Sequence, residues 1–200
     1  MSIKKRIKHL SKWGLVYWSP LFYRMTMALL RGGRGRDAMY QYVAEEIGKR
    51  SVLELCCGTG ELIPWVHGRY YGIDCNPAFA KSLRRQGMQV SDGDVLLEAW
   101  QETECLVMVD SLYHFIDRMD LLLKRIQQHP AKTIIISEPV DNLFPRLKGW
   151  KKNLAAWMTR VEGQYHPHRY SEEDLRAFFK KQGFQKVHRV GTNLIGVKTK

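Results

Sequence analysis

The stretch VLELCCGTGEL, Val52 to Leu62, decides the fold. An apolar run interrupted only by Glu54 enters a turn containing Gly58 and Gly60, the pattern of a buried strand that runs into a glycine loop. Short apolar runs recur downstream: RYYGID (69–74), MQVSD (88–92), CLVMVD (105–110) and KTIIISE (132–138). Helix candidates separate them. Asn76 and Pro77 open PAFAKSLRRQ before Gly87, and Asp117 opens RMDLLLKRIQQH before Pro130. Strands that are apolar throughout need cover on both faces, which is the parallel, doubly wound arrangement. Farther along, Ser171 and Asp174 form a capping box for a helix ending at Gly183, and residues 184–199 read as a hairpin turning at Gly191 to Asn193. The expectation is an α/β, Rossmann-like sheet of seven strands, doubly wound and mixed, closed by an antiparallel C-terminal hairpin.

Upstream of Val52 the period is helical. Residues 3–17 place Ile3, Ile7, Leu10, Trp13, Gly14 and Tyr17 on one face, with Lys4, Lys5, Arg6, Lys8 and Lys12 elsewhere. Ser19 and Pro20 open a second helix that stops at Gly32-Gly33. RGGRGR (31–36) reads as a flexible basic turn, after which Asp37 caps a third helix ending near Gly48. Residues 1–50 are therefore expected to form a helical cap or lid on a domain of residues 51–200, and residues 140–170 form an aromatic, basic insertion on the acceptor side.

The chain has 200 residues, 44% hydrophobic and 26% charged, which excludes disordered and fibrous classes. Its net charge of +12 is unevenly spread. Lys and Arg outnumber Asp and Glu by eleven to three in residues 1–50 and by fourteen to six in 131–200, but in 51–130 seven face eleven acids. An acidic centre inside a basic rim suits a ligand that needs carboxylates. The four cysteines lie in or beside apolar runs without metal-ligand spacing, so reduced, buried thiols and a cytoplasmic protein are expected. No export signal or transmembrane run is visible, and no metal site is expected.

The glycine loop excludes two ligand classes. With Gly58 and Gly60 as the first pair of a dinucleotide fingerprint, Ile63 stands where the third glycine belongs, and no Gly-Lys-Ser/Thr follows for a P-loop. Glu54, a carboxylate near the end of a buried strand, needs a partner that a cationic or amine-bearing ligand would supply. Asp74 ends the second strand, where an acid can take both hydroxyls of a ribose. Asp94 follows the third, able to accept from an exocyclic amine while the Val95 amide meets a ring nitrogen. Three acids at three successive strand ends outline a positively charged nucleoside.

This ordered set resembles the class I S-adenosylmethionine-dependent methyltransferases, small-molecule types such as the quinone and phospholipid enzymes included. Their acid-x-Gly-x-Gly-x-Gly motif matches Glu54-Leu55-Cys56-Cys57-Gly58-Thr59-Gly60, with Cys56 standing at the first glycine. Their ribose acid falls on Asp74, followed by Cys75, Asn76 and Pro77, their adenine-side acid on Asp94 beside Val95, and their fourth motif on Val107 to Phe115, which contains Asp110. The resemblance implies S-adenosyl-L-methionine as cofactor, held by Glu54, Cys56, Gly58, Thr59, Gly60, Asp74, Cys75, Asn76, Asp94, Val95 and Asp110. It also implies in-line methyl transfer to an acceptor.

His114 in DSLYHF is the candidate general base, with Tyr113 beside it. Trp150, Trp157, Tyr165, His166 and Tyr170 of the insertion are candidate acceptor contacts, and their aromatic character favours a small, bulky apolar or amphipathic acceptor. Residues 1–18, basic with interleaved Ile, Leu, Trp and Tyr, are a candidate contact with an anionic membrane surface, which would make the protein peripheral there. A nucleic-acid acceptor is disfavoured: Asp110-Ser111-Leu112-Tyr113 lacks the prolines of the amino-methylating DNA enzymes, and no Pro-Cys nucleophile is present. RNA or protein acceptors and a non-catalytic cofactor-binding module are the alternatives. Asp74→Ala is expected to weaken cofactor binding by more than about tenfold, since a buried hydrogen-bonding anchor is lost; unchanged affinity in calorimetry would contradict the assignment.

Overall fold

A computed structural model describes residue 17 and residues 19–31, 33–140 and 170–200, with the backbone alone for 26–31 and 33–35. Two helices, α1 (Pro20–Arg31) and α2 (Gly33–Ile47), precede β1 (Val52–Leu55), β2 (Tyr70–Asp74), α3 (Pro77–Arg85), β3 (Gln89–Asp92) and β4 (Cys105–Val109). A 3-10 segment, Leu112–Arg118, leads into α4 (Met119–Gln128), followed by β5 (Thr133–Pro139), α5 (Glu172–Lys181), β6 (Lys186–Val190) and β7 (Asn193–Thr199). The strands form one sheet in the order β3-β2-β1-β4-β5-β7-β6. β1 through β5 pair in parallel, while β7 runs antiparallel to both β5 and β6. The expected seven-stranded mixed sheet and its hairpin are present.

Alternation along the strands divides the core between two faces. Leu53, Leu55, Leu106, Met108, Ile134 and Ile136 meet Leu122 and Ile126 of α4 and Leu175 and Phe179 of α5. The intervening Val52, Cys105, Val107, Val109 and Ile135 meet Met39, Tyr40, Val43 and Ile47 of α2. β3 and β2 are covered by Ala80 and Leu83 of α3 through Cys57 and Val90. The strand order reverses between β1 and β4, and at such a switch point the loops leaving the carboxyl ends part to open a crevice.

Two local expectations are corrected. Gly33 to Arg36 are helical and Asp37 is not a cap: one helix reaches Arg31 and the next already begins at Gly33. Glycine disfavours helix by about 1 kcal/mol per residue, but Arg36 extends that helix usefully, donating from Nη2 to the Tyr40 hydroxyl at 2.7 Å while Met39 and Val43 are buried. Asp117 does not open α4 either. Helical turns begin at Leu112, directly after β4, because Leu112, Tyr113 and Phe115 are buried there.

Close packing fixes the antiparallel end. Gly196 of β7 lies opposite Ile136 of β5, and a Cβ at Gly196 would stand 2.7 Å from ring carbons of Phe179, which is fully buried. Gly196→Ala is expected to lower unfolding stability by about 1–3 kcal/mol through overpacking, read as a fall in Tm of about 2–4 °C per kcal/mol. An unchanged melting curve would refute this close packing.

Candidate active site

One cavity of about 430 Å³ opens at the carboxyl ends of the parallel strands. Cys56 and Gly58 after β1, Asp74, Cys75 and Asn76 at and after β2, Asp94 and Val95 after β3, and Asp110, Ser111, Tyr113 and His114 after β4 all line it. Residues from four strand ends therefore line this one cavity. The volume suits a cofactor-sized ligand, since small-molecule pockets span about 300–1,000 Å³.

The Asp74 carboxylate organises the floor. Its Oδ2 accepts from the Gly58 amide at 2.7 Å and its Oδ1 from the Asn76 amide at 2.8 Å, so one side chain ties the loop after β1 to the loop after β2. Burial raises its pKa to about 6 against the downward pull of these two amides. Asn76 caps α3, accepting from Ala78 at 3.0 Å, and donates from Nδ2 to the Tyr17 carbonyl at 2.8 Å. Asp94 has two partners: Oδ1 accepts from the Leu96 amide at 2.8 Å, and Oδ2 meets Arg118 at 3.1 Å.

Cys56 and Asp110 both adopt left-handed backbone, at φ 59° and 54°. That conformation costs a residue with a Cβ roughly 1–2 kcal/mol. At Asp110 the cost is offset by packing of the strand end: its amide donates to Ser137 O at 2.8 Å, and its Oδ1 accepts from Asn193 Nδ2 at 2.6 Å. The His114 amide donates to Ser111 O at 3.1 Å, and the Tyr113 and His114 rings are 4.0 Å apart between centroids.

The two loop glycines have different reasons. A Cβ at Gly58 would meet nothing within 4 Å, so the loop leaves open room beside Asp74. Gly60 is needed for its backbone, at φ 77°, and a Cβ there would also crowd the side-chain ends of Ile63 and Leu83 at 2.6 and 2.7 Å. Accordingly Gly60 and Thr59 do not line the cavity. Thr59 is buried, its hydroxyl donating to Glu61 Oε1 at 2.8 Å and its carbonyl accepting from Arg24 Nη2 at 2.6 Å. Arg24 Nε also meets Glu61 Oε1 at 3.0 Å, which seats α1 on the loop.

Glu54 also stands outside the lining. It is 3% exposed, and Oε2 accepts from the Tyr70 hydroxyl, so a protein group supplies the partner that sequence reasoning sought in a ligand. Tyr170 packs beside Phe178, at 6.3 Å between ring centroids, and does not line the cavity; burial pushes its phenol up to about 12. Trp150, Trp157, Tyr165 and His166 lie outside the described residues.

Sequence reasoning missed several lining residues: Tyr17, Tyr23, Phe79, Phe115, Asp117 and Arg118. Tyr17, Tyr23 and Phe79 form an aromatic trio with centroids 5.3–6.2 Å apart. Phe79 had a legible signal, since it follows the Asn76 cap by three residues and so returns to the same end of the helix. Arg118 closes the same 3-10 segment that carries His114.

This fold, with acids closing successive strand ends around a glycine loop, is that of the class I S-adenosylmethionine-dependent methyltransferases. Residues 23–189 match the family model of the methyltransferase domain, and the chain belongs to that family. No curated protein matches the chain in sequence. Among solved structures it is similar to a Thermotoga maritima S-adenosylmethionine-dependent methyltransferase described as a possible histamine N-methyltransferase, with 17% identity, a TM-score of 0.63, and 90% and 96% of the two chains covered. It is also similar to the magnesium protoporphyrin IX methyltransferase of Synechocystis, with 16% identity, a TM-score of 0.59, and 83% and 84% coverage. An rRNA methylase from Escherichia coli gives 14% identity and a TM-score of 0.56, over 84% of this chain and 64% of that one.

Burial pushes the Glu54 carboxyl up to about 8, outweighing the Tyr70 hydrogen bond and reinforced by Asp74 and Glu61. The penalty for its charged form is absent below the ordinary carboxyl range and complete above about pH 8, so wild-type stability should fall as pH rises through that window. Glu54→Gln, which keeps an acceptor for Tyr70, is expected to match the wild type at about pH 4 and to exceed it by on the order of 1–3 kcal/mol at about pH 9. Urea unfolding at both pH values tests this; equal stability at the higher one would refute it.

Proposed function

We propose that this methyltransferase acts on a small, bulky amphipathic acceptor, with His114 as the general base. The convergence of Asp74, Asp94 and the open floor at Gly58 with His114 and Tyr113 on a single cavity carries this assignment. The residues present fit the cofactor: Asp74 would hold the ribose, Asp94 and Val95 the adenine edge, and Cys56, Gly58, Cys75 and Asp110 the intervening wall. Bound S-adenosylmethionine supplies a methyl group on a sulfonium centre whose positive charge disperses during in-line transfer.

The chain's own residues then align the acceptor and manage its proton. An imidazole nitrogen of His114 takes the proton from the acceptor hydroxyl or ammonium, leaving a lone pair free to attack, and later releases it to solvent. Tyr113 beside it limits the ring's freedom. Tyr17, Tyr23, Phe79 and Phe115 give the cavity an aromatic wall, which favours a flat or apolar acceptor body and keeps water from the reacting centre. The N-terminal segment acts as a cap, since Tyr17 and Tyr23 line the cavity from the residues before the sheet.

Incubating the full chain with methyl-labelled S-adenosylmethionine and a fractionated cell extract tests the acceptor class. Label should enter the solvent-extractable small-molecule fraction, and His114→Ala should lower that rate by about 100-fold or more at neutral pH, with cofactor affinity within about twofold of wild type. Label in RNA or protein fractions would overturn the acceptor class, and an unaltered rate would remove His114 as base.

A further inference from the structure

α1 has two unlike faces. Successive helical residues are about 100° apart, so Tyr23 and Arg24 share one side while Leu21, Phe22 and Met25 occupy the other. The first side is used: Tyr23 lines the cavity with its ring 5.3 Å from Phe79, and Arg24 is seated on Thr59 and Glu61. The second is apolar and open to solvent, with Leu21 69%, Phe22 44% and Met25 62% exposed. Three adjacent large apolar side chains on the outside of a helix mark a contact surface.

Charge identifies the partner. Residues 1–36 carry nine Lys and Arg and not one Asp or Glu. A second copy of so basic a segment would be repelled, and an RNA would offer phosphates but no apolar phase for Leu21 and Met25, which neither stack on bases nor hydrogen-bond to them. An anionic bilayer offers both: phosphate headgroups for the basic residues and an acyl boundary for the apolar trio. No helix among the described residues is long and apolar enough to cross a membrane, so the contact is made from one side.

We infer that the outer face of α1, through Leu21, Phe22 and Met25, docks the protein on an anionic lipid surface. The contact expected of residues 1–18 thus extends into α1, a helix whose reverse side walls the cavity. Docking brings the cavity to headgroup level, where an amphipathic acceptor concentrates. It requires no particular acceptor, so its failure would leave the methyl-transfer assignment standing.

Flotation of the full chain with phosphatidylcholine vesicles, with and without about 30% phosphatidylglycerol, tests the docking. Binding at low salt should be at least about tenfold stronger to the anionic vesicles and should weaken as salt screens the headgroups. The triple variant Leu21→Ser/Phe22→Ser/Met25→Ser should lose about tenfold or more in vesicle binding while keeping its affinity for S-adenosylhomocysteine. Leu97→Ser, at an exposed leucine outside α1, should bind as the wild type does. An environment-sensitive fluorophore on Leu21→Cys should shift to shorter wavelength on the anionic vesicles. No binding to anionic vesicles, an unaffected triple variant, or an unshifted fluorophore would each overturn the docking. So would tighter binding to a poly(U) oligonucleotide that the triple variant leaves unchanged, an outcome that points to nucleic acid.

Discussion

The carboxylate of Asp74 is the constraint on which the site depends. It collects the amides of Gly58 and Asn76, two backbone groups that belong to different loops and meet only because β1 and β2 lie side by side in parallel. Taking a carboxylate out of water is costly unless donors replace the lost solvent. Here two amides do so, yet desolvation still dominates and the group titrates near 6. The two amides oppose that rise and leave lone-pair capacity on the carboxylate for a ligand.

The other cavity walls rest on that floor through successive contacts. Asn76 passes the order on to α3 through its cap and to the N-terminal segment through the Tyr17 carbonyl. Glu61 links the loop to α1, because Thr59 and Arg24 share its Oε1. On the far side Asn193 of β7 reaches Asp110, so the antiparallel half of the sheet also helps position the strand end that precedes His114. The arrangement joins parts of the chain that neither side alone could orient.

Much of this is legible in the sequence. Asp74 and Asp110 are legible because each closes an apolar run, and a run of that kind in an alternating pattern has its carboxyl end at the crevice; Asp94 is legible because it follows the third strand in the same order. Glu54 is the instructive counterexample. Its chemistry is legible, but its direction depends on strand alternation and on Tyr70 across the β1–β2 pair, a partner sixteen residues away that no local pattern announces. Tyr17 and Tyr23 carry no distinct signal, since an aromatic on an amphipathic helix resembles core. RGGRGR misled for the opposite reason: local propensity favours a turn, while burial of Met39, Tyr40 and Val43 draws the helix back to Gly33. The acceptor contacts expected of the insertion rest on composition alone, and Tyr170, its described aromatic, stands outside the cavity lining.

β7 follows the other six strands in sequence, yet it lies inside the sheet between β5 and β6. During synthesis the outer edge of β5 must therefore wait, with its ladder groups unpaired, until the last of the seven strands emerges. Such an edge is a template for pairing with another chain, and nascent molecules carrying it are open to mispairing and chaperone capture until β7 slots in.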